Sequence, residues 1–372
     1  MVKKKDRTMR LGRAAIDKGM ARFVAALLIY SAFAVYLYRP HFKGFNRWQY
    51  LLVMNASLAS LGCYLLSRRW VVGFVESFFS GAIYGFGPFA LGLAKFHPTA
   101  GLLVAAIPWL FCPAAFGPGG RWRLLRVPLA ALPFLAILLF FRMSARFGLY
   151  PIPIQLKLQP SNLIGLMAPL IAARRQTALI GFYHAPIAPL IMGIAIFLAP
   201  LKLLVTGGIG QRVKSTAALT TRRFGIVAIF AGATTLAFCN SYLEISPIVF
   251  FSIGALVCSI LAGAGMQGLA SAGAADRKWI LFAAIVMAVL AIVSLLLATK
   301  YFQTLLGIGS GYAVLFIQAG KMYVLCAIAL AVLYFMARAN LRMLPIRLAL
   351  LCAPIAIDVF LGATDIVDKT VW

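Results

Sequence analysis

Residues Ala173–Phe224 read ARRQTALIGFYHAPIAPLIMGIAIFLAPLKLLVTGGIGQRVKSTAALTTRRF, and this stretch decides the fold. Its apolar part, 178–201, carries His184 and is interrupted by prolines. A helix of about 20 such residues crosses roughly 30 Å of hydrocarbon. Similar apolar runs lie on both sides of it, about five before and about five after. We therefore predict an all-α polytopic integral membrane helical bundle of about 11 transmembrane helices, within a range of about 10–12.

The composition excludes an ordinary soluble domain. The 372 residues are 63% hydrophobic and 12% charged, with a mean hydropathy of +0.95. A soluble domain of this size carries about twice that charged fraction. The apolar runs are continuous rather than alternating, which favours helices over the strands of a membrane barrel.

The chain divides into a basic cytoplasmic arm (1–20), one transmembrane domain (21–363) and a short tail (364–372). The third span contains Gly81-xxx-Gly85, which is a signal for close helix packing. Between the fifth and sixth spans lies a long outer segment, 142–177, whose apolar part near 160–173 is too short to span and predicts a re-entrant or interfacial helix. The predicted spans are 22–38, 49–66, 70–94, 99–116, 127–141, 178–201, 224–243, 247–269, 279–297, 312–336 and 344–363.

The basic residues predict the orientation. Under this scheme the inner segments hold 23 of the 35 Lys and Arg residues, the outer segments hold 11, and Lys321 lies within a span. Positive residues concentrate on the cytoplasmic side of membrane proteins. We therefore place the N-terminus and the loop 202–223 in the cytoplasm and the C-terminus outside. If 158–173 also crossed the membrane, every later segment would change sides.

The formal charge of +27 points to lipid rather than to nucleic acid. Basic loops contact anionic headgroups at the membrane surface. The basic arm and the loop 202–223 are also suited to docking an acidic protein partner. The basic bias and the short loops are typical of a bacterial inner membrane.

Few polar groups lie within the predicted spans, and each needs a partner or a function, since a charge at mid-bilayer costs at least about 2.5 kcal/mol. One interpretation is a polar cavity lined by Glu76, Lys321, Asp358 and His184. The other is a structural pair of Lys321 with Asp358 or Glu76, with His184 as a hydrogen-bonded or interfacial histidine and Glu244 at the water interface. The candidates within or at the ends of the spans are Glu76, Gln318, Lys321, Asp358 and Glu244.

A second candidate site is the arginine group on the outer segment. The side that should be poor in positive charge carries Arg142, Arg146, Arg174 and Arg175, and these precede His184. Arginine forks suit phosphates and carboxylates. These residues are therefore candidates for binding an anionic headgroup, although ordinary contact with lipid phosphates explains the same pattern.

Motifs for catalysis, metals and cofactors are missing. The sequence has no HExxH, P-loop, GxSxG or paired acidic motif, and the six cysteines form no CxxC pair. We predict no metal and no cofactor, and the sequence assigns no catalytic residue.

Three functions remain. The first is the handling of an anionic lipid-linked substrate in envelope polysaccharide or glycolipid assembly, as a polymerase, transferase or flippase. The second is a secondary transporter or channel for a small solute, motivated by the interrupted third and sixth spans. The third is a non-catalytic membrane subunit of a larger secretion or assembly complex. The arginine-rich outer segment places the first ahead of the second at this stage.

Overall fold

The computed structural model describes residues 2–45, 47–96, 98–117, 120–147, 182–198, 216–239, 247–305, 310–341 and 343–370. These residues form helices and turns without strands, which confirms the prediction of an all-α fold. Six helical segments among them are long and apolar enough to cross a membrane: Gly19–Gly44, Tyr50–Ser67, Ile248–Ser271, Arg277–Leu297, Gly311–Arg338 and Leu344–Asp368.

The helices follow the apolar runs closely. They are α1 (Val2–Tyr38), α2 (Tyr50–Ser67), α3 (Phe74–Gly85), α4 (Pro88–Phe96), α5 (Pro98–Phe116), α6 (Arg126–Ala130), α7 (Leu132–Phe147), α8 (Ile187–Leu198), α9 (Thr216–Phe238), α10 (Phe251–Ser271), α11 (Arg277–Leu297), α12 (Lys300–Leu305), α13 (Ser310–Arg338) and α14 (Leu344–Thr370). The basic arm is the first part of α1, and α14 continues beyond the predicted end at Ala363 to Thr370.

The third predicted span is two helices rather than one. The break lies at Phe86–Gly87, where Phe86 has left the helical conformation and Pro88 begins α4. A Cβ at Gly87 would overlap the Ile83 carbonyl oxygen, so the chain needs glycine to turn here. Proline at a helix start costs nothing, because its missing N–H would be unpaired there in any case.

The sixth predicted span is also interrupted, near the prolines Pro186 and Pro189. Residues 182–186 are not helical, and α8 begins at Ile187. Both prolines therefore lie at or before the first turn of α8, where their missing N–H groups and fixed φ fit the geometry. The first residues of the predicted span, 178–181, lie outside the described part of the chain.

Glycines set the closest helix crossings. A Cβ at Gly81 or Gly85 of α3 would overlap the backbone of Ser60 in α2, which agrees with the close-packing signal. The crossing of α8 with α10 is equally tight, since a Cβ at Gly265 would overlap the Pro189 carbonyl oxygen. Helices α10 and α14 contact both the α1–α5 group and the later helices, and so join the two parts of the bundle.

Arg347 belongs to the interior rather than to a loop. Its side chain is buried, and its Nη1 donates to the carbonyl oxygens of Ala270 and Ala272 at the end of α10. The last carbonyls of a helix lack partners within the helix and carry the negative end of its dipole. A buried guanidinium satisfies both requirements and ties the start of α14 to the end of α10.

Candidate functional site

The two breaks in the helices lie against each other. Tyr183, in the non-helical segment 182–186, donates its hydroxyl to the carbonyl oxygen of Phe86 at 2.7 Å. Phe86 is the residue at which α3 ends. Non-helical backbone inside a membrane is tolerated where protein buries it or where it lines a polar cavity. The tyrosine therefore satisfies one carbonyl that the first break leaves without a helical partner.

A deeply buried histidine–aspartate pair lies at the second break. His184 Nδ1 is 3.0 Å from Asp358 Oδ1, and the two residues are only 4% and 3% exposed. The other carboxylate oxygen, Oδ2, accepts the backbone N–H of Ala185 at 2.6 Å. An ionised carboxylate only accepts hydrogen bonds, so the contact with His184 requires a proton on Nδ1. Asp358 thus binds two donors from a segment 174 residues away in the chain.

Three further residues contact this pair or the segment 182–186 that carries His184. The Tyr323 ring of α13 stands perpendicular to the His184 ring, with the centroids 5.1 Å apart. The Cys326 thiol, one turn later, lies 3.8 Å from the Ala185 carbonyl oxygen. On α14, Gly362 contacts the Tyr183 ring so closely that a Cβ would overlap it. Elements that are distant in sequence therefore hold the segment 182–186 in one position.

The N-terminus of α8 explains why a carboxylate fits here. Ala185 lies just before α8, and its N–H points to Asp358 rather than into a helix. The start of a helix carries a partial positive charge and unpaired N–H groups, which together favour an anion. Asp358 occupies this anion-binding position from within the chain.

Glu76 is buried at a different level of the bundle. It lies in the first turn of α3, and a Cβ at Gly73 would overlap its carboxylate, so the side chain folds back over the start of its own helix. It interacts electrostatically with Cys352 of α14, six residues before Asp358 and so about 9 Å away along the helix. The described contacts join His184 to Asp358 and do not bring Glu76 to this pair.

Lys321 does not pair with Asp358 as expected, because His184 takes that position. The side chain of Lys321 is exposed, and Gln318 is half-buried. The expectation failed because both faces of α13 are apolar, so the sequence did not indicate which face points inward. Lys321 lies on an outward stripe of α13 with the exposed residues Val314, Ile317, Val324, Leu325 and Ile328.

Only two of the arginines predicted on the outer segment, Arg142 and Arg146, belong to the part of the chain that the structure describes. Arg142 and Arg146 are exposed on the last turns of α7, four residues apart and hence on one face of the helix. Outside the described residues lie Arg174, Arg175 and Glu244, the helix expected near 160–173, and most of the loop 202–223. His184 is buried against Asp358 and is therefore not presented beside exposed arginines.

A second histidine–aspartate pair was missed by the sequence reasoning. His41 Nε2 is 3.0 Å from Asp368 Oδ1, and the side chains are 8% and 54% exposed. His41 follows α1, and Asp368 lies near the end of α14 in what the sequence suggested was a tail. The signal available was the pattern Asp358, Asp365 and Asp368, which places three of the eight acidic residues of the chain on one helix.

Within the described residues, no group of three or more His, Cys, Asp or Glu side chains is arranged to hold a metal ion. The six cysteines are free thiols. Comparison of the chain with protein-family models, curated proteins and solved structures found no match.

Proposed function

We propose that this protein is a multi-pass membrane transporter for a small anionic solute, with its site where the two interrupted helices meet. The observation that carries the proposal is the His184–Asp358 pair at the start of α8. Interrupted helices with their N-termini at mid-membrane form the substrate sites of many secondary transporters. A buried ionisable pair at that depth is costly and typically functional.

The mechanism follows from the bonds of Asp358. In the observed state its carboxylate holds the Ala185 N–H and the positive end of α8. When Asp358 takes up a proton, its attraction to this end weakens, and a carboxylate or phosphate of the solute replaces it. His184 then loses its anionic partner and becomes available to the solute. Proton uptake and anion binding are thereby coupled at one site.

In this proposal the chain crosses a bacterial inner membrane eleven times, with the N-terminus in the cytoplasm. Six apolar helices of spanning length and four shorter ones support the membrane location. The interrupted sixth span accounts for one of the shorter helices, Ile187–Phe197, because the break before Ile187 shortens that apolar run.

Transport is tested with purified protein in liposomes that enclose the pH-sensitive dye pyranine. Succinate, lactate, glutamate and phosphate are added outside one at a time. We expect at least one of these anions to acidify the lumen, because a proton enters with it. His184→Gln is expected to reduce the initial rate at least tenfold, since the imidazole that becomes available to the solute when Asp358 takes up a proton is then missing. Asp276→Asn is the control, because this carboxylate lies in a turn and accepts the Gly273 N–H.

The proposal fails if none of the four anions acidifies the lumen beyond protein-free liposomes. It also fails if His184→Gln transports as fast as the wild type. A rate lowered equally in His184→Gln and Asp276→Asn indicates a general loss of folded protein rather than a loss of the site.

A second candidate function is the binding of an anionic lipid-linked substrate for envelope polysaccharide or glycolipid assembly. Arg142 and Arg146 favour it, since both are exposed on one face at the end of α7. Two guanidinium forks one turn apart match a phosphate or diphosphate headgroup.

This second function predicts selective binding of a polyprenyl phosphate in detergent micelles. We expect the double variant Arg142→Gln/Arg146→Gln to weaken that binding at least tenfold. Arg277→Gln, at an exposed arginine that begins α11, is expected to bind as the wild type does. Phosphatidylglycerol provides the comparison: if it competes equally with the polyprenyl phosphate, the arginines contact ordinary lipid and this function is rejected.

A further inference from the structure

A charged side chain faces outward near the middle of α13. Lys321 is the one charged residue of the sequence between Gly311 and Arg338. It is exposed at the centre of the outward stripe of α13, which continues beyond Ile328 with the exposed residues Val332 and Phe335. Apart from Lys321 the stripe is apolar, and its three- and four-residue spacing places all its members on one side of the helix, the side that faces away from the bundle.

The depth of Lys321 makes its charge costly. The span Gly311–Arg338 has 28 residues, and Lys321 lies about 5 Å from its midpoint at a rise of about 1.5 Å per residue. In a hydrocarbon layer roughly 30 Å thick, the nearer headgroups are then about 10 Å away along the helix. The four-carbon stem of lysine is shorter than this distance, so snorkelling alone leaves the ammonium below the headgroups. A charge at this depth needs a partner.

The described part of the chain does not supply that partner. Its ion pairs are His41–Asp368 and His184–Asp358, and neither includes Lys321. The neighbouring helix α11 shows what a lipid-facing side looks like in this protein. Between 281 and 297 its exposed residues are all apolar, among them Phe282, Ile285 and Ile292. The outward stripe of α13 differs from this surface by one central cation.

That cation specifies what fits against the stripe. A carboxylate at the same depth in a neighbouring transmembrane helix neutralises the ammonium, and Gln318, half-buried at the edge of the stripe, offers an amide to the same helix. A second copy of this chain does not fit, because a symmetric contact would bring two lysines together. The described acidic residues cannot replace one of them, since they are buried, lie in a turn or lie in the last two turns of α14: Glu76, Asp358, Asp276, Asp365 and Asp368.

We propose that the outward stripe of α13 docks a transmembrane helix of a different membrane protein, and that this helix carries an aspartate or glutamate at the depth of Lys321. Ile317 and Val324 flank the ion pair with apolar contacts, and Ile328 extends the contact by one further turn. This interaction surface goes beyond the transport function proposed above and does not rest on it. A failure of anion transport in liposomes leaves the expected docking unchanged.

The probe is a synthetic transmembrane peptide of about 20 leucines and alanines with one central aspartate. A peptide with leucine at that position is the comparison. Full-length protein with a donor dye on its N-terminal amine is placed in phosphatidylcholine vesicles with acceptor-labelled peptide, and association is measured by energy transfer. We expect the aspartate peptide to bind at least tenfold more tightly than the leucine peptide. Lys321→Met is expected to abolish this difference, and Lys321→Glu to transfer the preference to a peptide with a central lysine.

Two matched controls locate the contact. Lys300→Met makes the same chemical change at an exposed lysine that begins α12, and it is expected to bind as the wild type does. Ile328→Trp on the stripe is expected to weaken binding, whereas Ile285→Trp on α11 is not, although the two isoleucines are similarly exposed, at 57% and 53%.

Equal binding of the aspartate and leucine peptides to the wild type overturns the proposal. So does a preference for aspartate that survives in Lys321→Met, or one that phosphatidylglycerol in the vesicles abolishes, because the lysine then contacts lipid headgroups. Equal binding by the two tryptophan variants shows that the peptide lies elsewhere and rejects the stripe as the docking surface.

Discussion

Replacing Asp358 with leucine is expected to lower the free energy of unfolding by about 3–5 kcal/mol, because it leaves two buried donors, the His184 ring N–H and the Ala185 N–H, without an acceptor. Asp358 is 3% exposed, and its oxygens bind His184 and the Ala185 N–H. Leucine has a similar volume but accepts neither donor. The measurement is unfolding of the detergent-solubilised protein by increasing mole fractions of dodecyl sulfate.

Two further variants separate charge from packing. Asp358→Asn conserves shape, and its amide can accept the Ala185 N–H and donate to the other neutral tautomer of His184, so we expect it to remain near wild-type stability while losing proton-coupled transport. The double variant Asp358→Leu/His184→Leu removes the uncompensated histidine and is expected to recover part of the loss. The remaining deficit is about 1–3 kcal/mol, because the Ala185 N–H stays buried without an acceptor. A single leucine variant as stable as the wild type contradicts the account of this pair.

The sequence identified the polar residues that lie within apolar runs, but not which side of its helix each one faces. Asp358 and His184 were both identified as intramembrane groups that need partners. Their mutual contact was not predicted; Lys321 was one expected partner of Asp358, and a shared polar cavity was the other interpretation. In a soluble helix the apolar stripe shows which face is buried. In a membrane helix both faces are apolar, so Lys321 on the outward side of α13 cannot be distinguished by pattern from an inward residue.

The interruptions were more accessible to prediction than the contacts. Glycine and proline at Gly87 and Pro88 read directly as a break, and the prolines of the sixth span indicated a distortion there. That the two breaks meet through Tyr183 and Phe86 is a tertiary fact. No local signal in the sequence encodes it, because the two residues are 97 positions apart.

The His41–Asp368 pair was missed for a different reason. The last residues of the chain are polar, and a polar end after an apolar run was interpreted as a tail. In the structure α14 continues to Thr370, and this places Asp368 against His41. Helical spacing of the three aspartates was the available signal, and it has meaning only once the helix is known to continue.

The second large effect is expected at the crossing of α8 with α10. Gly265→Ala is expected to lower the free energy of unfolding by about 3 kcal/mol, at the upper end of the usual cost of overpacking. A Cβ at Gly265 would overlap the Pro189 carbonyl oxygen and would lie 2.6 Å from the Gly193 backbone nitrogen. Backbone atoms cannot rotate away as the end of a side chain can, so the two helices must separate.

Gly232→Ala in α9 is the matched control, because a Cβ there meets nothing within 4 Å. The same chemical change is expected to be neutral or to stabilise by up to about 1 kcal/mol, since alanine favours a helix over glycine. Both variants are measured by the same dodecyl sulfate titration.

Separation of α8 from α10 also moves the segment 182–186, which leads directly into α8. We therefore expect Gly265→Ala to lose anion-driven acidification even in the fraction that remains folded. Equal stability of the two alanine variants would show that the crossing is looser than the Gly265–Pro189 contact requires.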